Sequence, residues 1–200
     1  MCTDFVQALC LRFSFKEKNI KEQHCPESRF QPVKLARRFF GVRRLKFEHL
    51  VVINEPENLA VPDLSREELW FGLLYRAENP QPFLPGLESC MILSRDDEGI
   101  TRELNFGSTK IRDRVSWVEM ESVTFEAEKT AEHAGGTLTI RIEEPAPNQL
   151  VLRFLYRTTL AEQAGGQEEM MAEFVRSAYH QSDIDTARLI RELMLAKRLQ

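Results

Sequence analysis

This sequence has no long apolar run and few cysteines. No uninterrupted apolar stretch approaches the roughly 18 residues that a membrane-spanning helix needs. Residues 1–15 include Asp4 and lack the basic start of a signal peptide. Only Cys90 of the four cysteines lies beyond residue 44, which argues against a disulfide framework and against CxxC metal spacing. We therefore expect a cytoplasmic protein with reduced thiols and no membrane span.

The common catalytic and nucleotide-binding motifs are also absent. GxGxxG, Walker, GxSxG and HExxH patterns do not occur, so the usual nucleotide, serine hydrolase and zinc protease functions are not predicted. The histidines stand apart from one another and from any set of Cys, His or carboxylate ligands, so we predict neither a metal site nor a cofactor. They are His24, His49, His133 and His180.

Charge is divided unevenly along the 200 residues, of which 42% are apolar and 29% charged. Residues 1–44 contain ten basic and four acidic residues, a net charge of +6, whereas the remainder contains 17 basic and 27 acidic residues, a net charge of −10. An acidic body argues against a nucleic-acid partner, because phosphate binding needs clustered Lys and Arg. The length and composition suit one globular domain, which we place at residues 45–200.

Residues 1–44 show no sustained hydrophobic period, and Pro26 and Pro32 interrupt any helix. We expect a poorly ordered, basic N-terminal extension. Three interpretations are open: a flexible tail, a basic arm that contacts a membrane surface or nucleic acid, or a start-site artefact. In the last case, translation begins at Leu45, read from a bacterial UUG codon.

The patterned region opens with a strand and a capped helix. Lys46–Asn54 is rich in β-branched and aromatic residues, which predicts a strand. Ser65 and Glu68 form a capping-box signal, and apolar residues then recur at helical spacing until Pro80 ends the helix. Arg76 lies near the end of this helix. We expect it to favour the negative helix terminus, with a position at a cavity mouth as the alternative.

Six more strands with intervening turn signals suit an antiparallel meander. They are Glu88–Arg95, Ile100–Phe106, Lys110–Val118, Ser122–Ala127, Thr137–Glu143 and Leu150–Thr158. Alternation places apolar residues of the later strands on one face: Ile100, Leu104, Phe106, Ile111, Val115, Trp117, Val123, Phe125, Leu138, Ile140, Ile142, Leu152, Phe154 and Tyr156. The opposite, solvated face carries Glu103, Arg112, Arg114, Glu126, Arg141, Arg153 and Arg157.

A long helix is predicted from Gln167 to Arg198, with apolar residues at helical spacing. At about 1.5 Å per residue it is long enough to cross the whole sheet. Its middle is polar, at Ser182, Asp183, Asp185 and Thr186, which indicates a kink or a second cap. Asp183 and Asp185 do not share a helix face and are interpreted as capping residues rather than paired catalytic carboxylates.

Two charged residues interrupt the apolar strand face, Arg102 and Asp113. A hairpin loop at residues 107–110 places Leu104 opposite Asp113, with Arg102 diagonal to Asp113 and within reach of it. The same alignment sets Glu103 against Arg114 on the solvated face. A buried charge needs a partner, so Arg102 and Asp113 form either an architectural pair or a site for ligand binding or proton transfer.

Several segments resemble a bacterial and fungal branch of unknown function called AtaL-like, within the START/SRPBCC superfamily of the birch-pollen allergen. The segments are KFEHLVVINEP, ELWFGLLYRAENP, PFLPGLESC and RELNFGSTKIRDRV. The resemblance runs from Lys46 to the C-terminus. It implies an α+β helix-grip fold, in which a curved seven-stranded antiparallel sheet wraps a long C-terminal helix around an apolar cavity for lipids, sterols or polyketides.

The favoured function is binding of a hydrophobic small molecule, lipid- or polyketide-like, in that cavity. The candidate ligand-binding residues are Trp70, Arg102, Leu104, Phe106, Asp113, Trp117, Phe125, Phe154, Tyr156, Phe174 and Tyr179. The alternative is a cyclase or aromatase, in which Arg102 stabilises an enolate and Asp113 or Tyr156 moves a proton. A homodimeric interaction module is a third alternative, although the sequence has no coiled-coil repeat to support it.

Overall fold

The computed structural model describes residues 44–58, 61–130, 135–161 and 167–199. Within these ranges the chain forms seven strands and two helices. They are β1 (Arg44–Val52), α1 (Arg66–Glu78), β2 (Ser89–Asp96), β3 (Gly99–Asn105), β4 (Lys110–Val118), β5 (Ser122–Ala127), β6 (Gly136–Ala146), β7 (Gln149–Ala161) and α2 (Gln167–Arg198). This order agrees with the sequence prediction. The expectations for residues 1–43 lie outside the described residues.

All seven strands form one antiparallel sheet in the order β1-β7-β6-β5-β4-β3-β2. The five hairpins from β2 to β7 pair in sequence, while β1 pairs with β7, so the first and last strands are neighbours. The inner face of the sheet and the two helices enclose the main core. The predicted α+β helix-grip architecture is therefore confirmed.

The predicted face assignment holds in the later strands, where buried and less buried side chains alternate, as in β3 and β4. Ile100, Val115, Val123, Ile140 and Phe154 are among the fully buried residues of the core. The opposite face carries ion pairs of Glu103 with Lys110 and Arg112, of Asp96 with Arg114, and of Arg153 with Glu48 and Glu143. One face is thus dry and the other solvated, as the alternation indicates.

Helix α1 begins with the predicted capping box. The Ser65 hydroxyl accepts a hydrogen bond from the Glu68 backbone N–H at 3.2 Å, and the Glu68 carboxylate accepts one from the Ser65 N–H at 2.8 Å. These bonds satisfy two donors that a helix start leaves without intrahelical partners. Leu64 and Leu69 are both buried on either side of the cap, so the helix starts at a position that packing and capping specify together.

Helix α2 is held against α1 and the segment after β1. Gly72 is buried beneath Ile190, where a Cβ would lie 2.9 Å from Ile190 Cγ1, so only glycine allows this close approach. Arg191 donates to the backbone carbonyls of Ile53 and Pro62, and Arg198 pairs with Glu68. These contacts fix the C-terminal half of α2 over the open face of the sheet.

The β3–β4 hairpin has a register different from the predicted one. Its loop spans residues 106–109, because the Phe106 N–H donates to the Thr109 carbonyl and Gly107 adopts a φ of 78°. Arg102 therefore lies directly opposite Asp113, and Leu104 lies opposite Ile111. On the solvated face, Glu103 opposes Arg112 rather than Arg114. The prediction placed the loop one residue too late.

Two further sequence predictions are corrected by the structure. Helix α2 is continuous from Gln167 to Arg198, so the polar middle does not mark a second cap. Strand β6 passes the predicted end at Glu143 and reaches Ala146, because an irregular register after Glu143 accommodates Pro145 near the sheet end. No helix in the described ranges is long and apolar enough to cross a membrane.

Candidate functional site

The inward ion pair of Arg102 and Asp113 is the most buried charged contact of the site. Arg102 Nε donates to Asp113 Oδ1 at 2.9 Å, and Arg102 Nη2 donates to Asp113 Oδ2. Their exposed fractions are 1% and 5%. Arg102 Nη1 also donates to the carbonyl of Ala77 in the last turn of α1, which is otherwise an unsatisfied helix-end acceptor. Arg102 thus ties the sheet to α1 with its donors occupied.

Arg76 enters the same interior from α1 but has no comparable partner. Its side chain is 8% exposed, its guanidinium carbon lies 4.6 Å from the centroid of the Phe125 ring, and Nε is buried without a hydrogen-bond partner. Arg102 lies 5.4 Å from the same ring centroid. Two guanidinium groups therefore approach one aromatic ring, and of these two only Arg102 has a bound carboxylate.

A second polar cluster joins β1, β7 and α2. His49 Nδ1 lies 3.0 Å from Asp183 Oδ2, and the Tyr156 hydroxyl donates to Asp183 Oδ1. Asp183 is 2% exposed, and the His180 ring lies 4.6 Å from the His49 ring. The buried carboxylate consequently has both oxygens in hydrogen-bonding contact, with an imidazole on one side and a phenol on the other.

Aromatic rings surround this second cluster. The Phe47 ring stacks on Tyr156 at 4.7 Å between centroids, and Tyr179 lies 4.7 Å from Tyr156 and 5.6 Å from Phe47. Such rings exclude water from the hydrogen bonds beneath them and strengthen these bonds. The cluster is therefore a polar group of fixed geometry inside an apolar wall.

Burial changes the acid–base behaviour of the site. It raises the pKa of Asp183, against the opposing effect of the hydrogen bonds from Tyr156 and His49. Burial also raises the pKa of Tyr156 well above its ordinary value, with the nearby Asp183 carboxylate adding to the shift. The pKa of Arg76 is lowered, chiefly by burial. Burial therefore shifts all three groups toward their uncharged forms.

The other candidate residues divide between two places. Phe125, Phe154 and Tyr156 are buried in the main core, and three partly buried aromatics pack against it: Trp70, Trp117 and Tyr179. Leu104 and Phe106 belong instead to a smaller cluster around Leu87 and Ile111, which the structure separates from the main core. The structure thus brings most of the candidates, but not all of them, to one interior.

Phe174 lies away from that interior and is 49% exposed. At 3.6 residues per turn it is separated from Asp183 by about 180° around the helix axis, so it points away when Asp183 points inward. Val175 and Tyr179 are partly buried on the inner side. Helical spacing alone was not sufficient to choose the inward residues, because α2 has apolar residues on more than one side.

Sequence reasoning missed three residues of the site, although signals for them existed. Asp183 shares a helix face with Tyr179 and Ile190, so its interpretation as a cap is wrong. Arg76 lies three residues after buried Leu73, on the apolar face of α1, and the helix-end carbonyl is bound by Arg102 instead. His49 was interpreted as an isolated histidine, because its carboxylate partner, Asp183, is 134 residues away in the sequence.

No group of three or more His, Cys, Asp or Glu side chains is arranged to hold a metal ion in the part of the chain that the structure describes. Asp183 instead has hydrogen-bonding contacts with His49 and Tyr156, and His180 contacts the ring of His49. The chemistry of the site is that of hydrogen bonds, aromatic surfaces and two buried guanidinium groups, of Arg76 and Arg102.

Comparisons with known proteins agree with this architecture. The model of a family described as AtaL, acetylaranotin biosynthesis cluster protein L, matches residues 50–197. A comparison with the curated proteins finds no match.

Among solved structures, the fold is similar to ZhuI aromatase/cyclase from Streptomyces sp. R1128, with a TM-score of 0.54 and 12% identity over 79% of this chain and 97% of that one. It is also similar to the di-domain aromatase/cyclase StfQ of the steffimycin biosynthetic pathway, with a TM-score of 0.59 and 10% identity over 78% of this chain. The chain spans 52% of StfQ. Ara h 8.0201 gives a TM-score of 0.52 and 11% identity over 77% of this chain and 99% of that one.

Proposed function

Because this chain belongs to the AtaL family and has the helix-grip fold of the START/SRPBCC superfamily, we propose that it binds a hydrophobic small molecule between the sheet and α2. The observation that carries the proposal is a set of buried polar side chains within an otherwise apolar interior. They are Arg76, Arg102, Asp113, Tyr156 and Asp183. Binding sites for small molecules have this composition, with apolar walls and a few polar groups that orient the ligand.

The comparisons favour a ligand of biosynthetic origin. The family description refers to a biosynthesis cluster, and two of the solved structures with this fold are aromatase/cyclases. A polyketide-like compound has both the apolar area and the oxygen atoms that such an interior accommodates. A lipid-like compound satisfies the apolar walls equally and makes fewer polar contacts.

A cyclase or aromatase activity is the second candidate, and the Tyr156–Asp183–His49 cluster favours it. A phenol, a carboxyl group and an imidazole in hydrogen-bonding contact can transfer a proton to or from a bound compound. This cluster replaces Arg102 and Asp113 as the proposed centre of the chemistry, since those two side chains satisfy each other. Tyr156 remains the residue that we expect to face the substrate.

Native mass spectrometry of the purified protein tests the binding proposal. We expect a retained compound that is released under denaturing conditions. Anilinonaphthalene, a neutral apolar fluorophore, supplies an independent probe. The two tryptophans, Trp70 and Trp117, pack against the main core, so energy transfer from them to the probe reports binding in the interior. Absence of both a retained compound and energy transfer would contradict the proposal.

The two candidate functions differ in what happens to the retained compound. An enzyme converts it on incubation, and Tyr156→Phe then abolishes conversion while keeping the ring that stacks on Phe47. A binding protein returns the compound unchanged, with wild type and Tyr156→Phe releasing the same mass. Conversion that is equally fast in both proteins would remove Tyr156 from the proposed chemistry.

A further inference from the structure

We infer that the ligand carries an anionic oxygen, as in a carboxylate or an ionised enol or phenol, and that this oxygen binds the Arg76 guanidinium. The inference rests on the proposed function, because it assigns a chemical class to the ligand of that same interior. It concerns a side chain in the last turn of α1 whose Nε has no hydrogen-bond partner among the described residues, while Arg102 binds the Ala77 carbonyl there.

Arg76 is buried without a partner in the described part of the chain. It forms no ion pair there, and its Nε atom is enclosed with no acceptor within hydrogen-bonding distance. Removing a guanidinium from water without replacing its hydrogen bonds is among the more expensive arrangements in a folded protein. An apolar side chain of similar length would fill the same space at a lower cost, so the charge needs a reason.

The neighbouring carboxylates do not supply that reason. Asp113 uses both oxygens on Arg102, and Asp183 uses one oxygen on Tyr156 and the other on His49. Each of these acids therefore has its own hydrogen-bond partners, and neither bonds to Arg76. Their charges favour the Arg76 cation only at longer range. Within the described residues the Arg76 Nε–H therefore has no acceptor, and the ligand is the group that would supply one.

The position of Arg76 suits an aromatic or conjugated anion. Its guanidinium carbon lies over Phe125, whose ring is part of the main core. A planar guanidinium binds a carboxylate through two parallel hydrogen bonds. A ligand whose apolar body packs in the core can thus direct one anionic oxygen to Arg76. The Arg76 guanidinium thus offers a positive charge and hydrogen-bond donors beside the apolar ring of Phe125.

The experiment uses two fluorophores that differ by one group. Anilinonaphthalene is neutral, and anilinonaphthalene sulfonate carries an anionic sulfonate on the same rings. Wild type and Arg76→Met are titrated with each, followed by energy transfer from tryptophan. Competition between the two probes checks that they share a site. Methionine keeps the length of the side chain and removes its charge and donors.

We expect Arg76→Met to weaken binding of the sulfonate by about tenfold or more, since hydrogen bonds to charged groups contribute this much. Binding of the neutral probe should weaken much less than binding of the sulfonate, because the neutral probe has no charge to lose a partner for. Arg76→Lys keeps the charge and should therefore retain part of the preference for the sulfonate over the neutral probe. Arg141→Met, at an exposed position of β6, is the matched control and should alter neither probe.

Stability of the ligand-free protein gives a second readout. If Arg76 is retained for a ligand, replacing an unpaired buried cation by methionine raises the thermal midpoint, by about 2 °C or more for a domain of this size. If Arg76 is structural, the same substitution lowers the midpoint. A lower midpoint together with equal loss of both probes would overturn the inference.

The two proposals fail in different ways. If neither probe binds the wild type and native mass spectrometry finds no retained compound, the binding function itself is wrong. If both bind and Arg76→Met leaves the preference for the sulfonate unchanged, the binding function stands and the anion assignment to Arg76 is wrong. Selective loss of sulfonate binding in Arg76→Met, together with a raised thermal midpoint, supports both the binding function and the anion assignment.

Discussion

At the scale of single residues, two ion pairs each involve a residue of β4 and differ in burial. Arg102 and Asp113 face the core, while Asp96 and Arg114 lie on the solvated face with bidentate contacts of their own. In the core, each charge of the Arg102–Asp113 pair needs the other as its counter-charge, because water cannot solvate it. Outside, water and salt replace either partner. The same chemistry therefore has different consequences for stability on the two faces.

Asp113→Asn should destabilise the protein by about 3–5 kcal/mol, because it leaves the Arg102 charge buried without a counter-charge. Urea unfolding followed by tryptophan fluorescence measures the change in free energy. Asp96→Asn is the matched control and should leave the unfolding free energy nearly unchanged, since that carboxylate is solvated. The double variant Arg102→Met/Asp113→Leu should recover most of the loss. Equal effects of the two Asn variants would contradict the interpretation.

Asp183 should make stability depend on pH in the acid range. Burial raises its pKa in the folded protein, so the folded state holds the proton more tightly than the unfolded state. The stability from this group is fully present below the ordinary carboxyl pKa of 3.8 and is lost as pH rises through the raised value.

We therefore expect the difference in unfolding free energy between wild type and Asp183→Asn to shift in favour of the variant as pH rises from about 4. Asparagine does not titrate, so it provides the reference at each pH. Urea unfolding at several pH values measures the difference. A difference that is constant, or that shifts in favour of wild type, would show that hydrogen bonds rather than burial dominate at Asp183.

At the scale of elements, α1 shows how local and long-range information combine. The capping box of Ser65 and Glu68 and the stop before Pro80 were predicted correctly, because each depends on residues a few positions apart. The use of the helix faces was not predicted. Arg76 lies on the inner face with Leu69 and Leu73, as helical spacing allows, but its charge favoured the helix end in the sequence prediction.

The contact between the two helices depends on Gly72. Glycine in a helix costs roughly 1 kcal/mol relative to alanine, so on helix propensity alone Gly72→Ala should stabilise α1. A Cβ at this position would instead overlap the branched side chain of Ile190, which is fully buried and has no room to move. Overpacking of this kind costs about 1–3 kcal/mol and outweighs the gain.

Gly72→Ala should therefore lower the thermal midpoint. In the background of Ile190→Ala, where the overlap is gone, the same substitution should become neutral or stabilising. Thermal unfolding of the four proteins, including wild type, forms a double-mutant cycle that isolates this contact. A similar loss in both backgrounds would place the cause elsewhere in α1.

The β3–β4 hairpin shows a limit at the element scale. Both strands and their inward faces were predicted, yet a loop placed one residue too late changed every partner across the hairpin. Arg102 and Asp113 were expected on a diagonal and lie directly opposite each other. Face assignment survives because the shift moves the pairing by two positions, which preserves the alternation.

At the scale of the whole molecule, the sheet brings together residues from distant parts of the chain. β1 pairs with β7 across more than 100 positions, and this pairing sets His49 and Phe47 beside Tyr156. Helix α2 then adds Asp183 to the same place. The site is therefore a product of the complete fold rather than of any local segment.

A chain that starts at residue 44 should fold on its own, because it retains every described strand and helix and the whole span matched by the family model. We expect the shorter chain to have the same thermal midpoint as the 200-residue chain. We also expect the same far-ultraviolet circular dichroism signal per mole of helix and strand. A midpoint lower by more than about 3 °C, roughly 1 kcal/mol at this size, would show that residues 1–43 stabilise the domain.

The sequence by itself determined the order of elements, the capped start of α1, and the dry and solvated faces of the sheet. These features follow from side-chain periods and capping residues that act over a few positions. Only the tertiary structure decided which polar side chains meet: Arg102 with Asp113 in register, and Asp183 with His49 and Tyr156. It also decided that Arg76 Nε is buried without a hydrogen-bond partner among the described residues. Contacts of this kind depend on strand register, on helix rotation and on the distance between segments far apart in sequence, which no local pattern specifies.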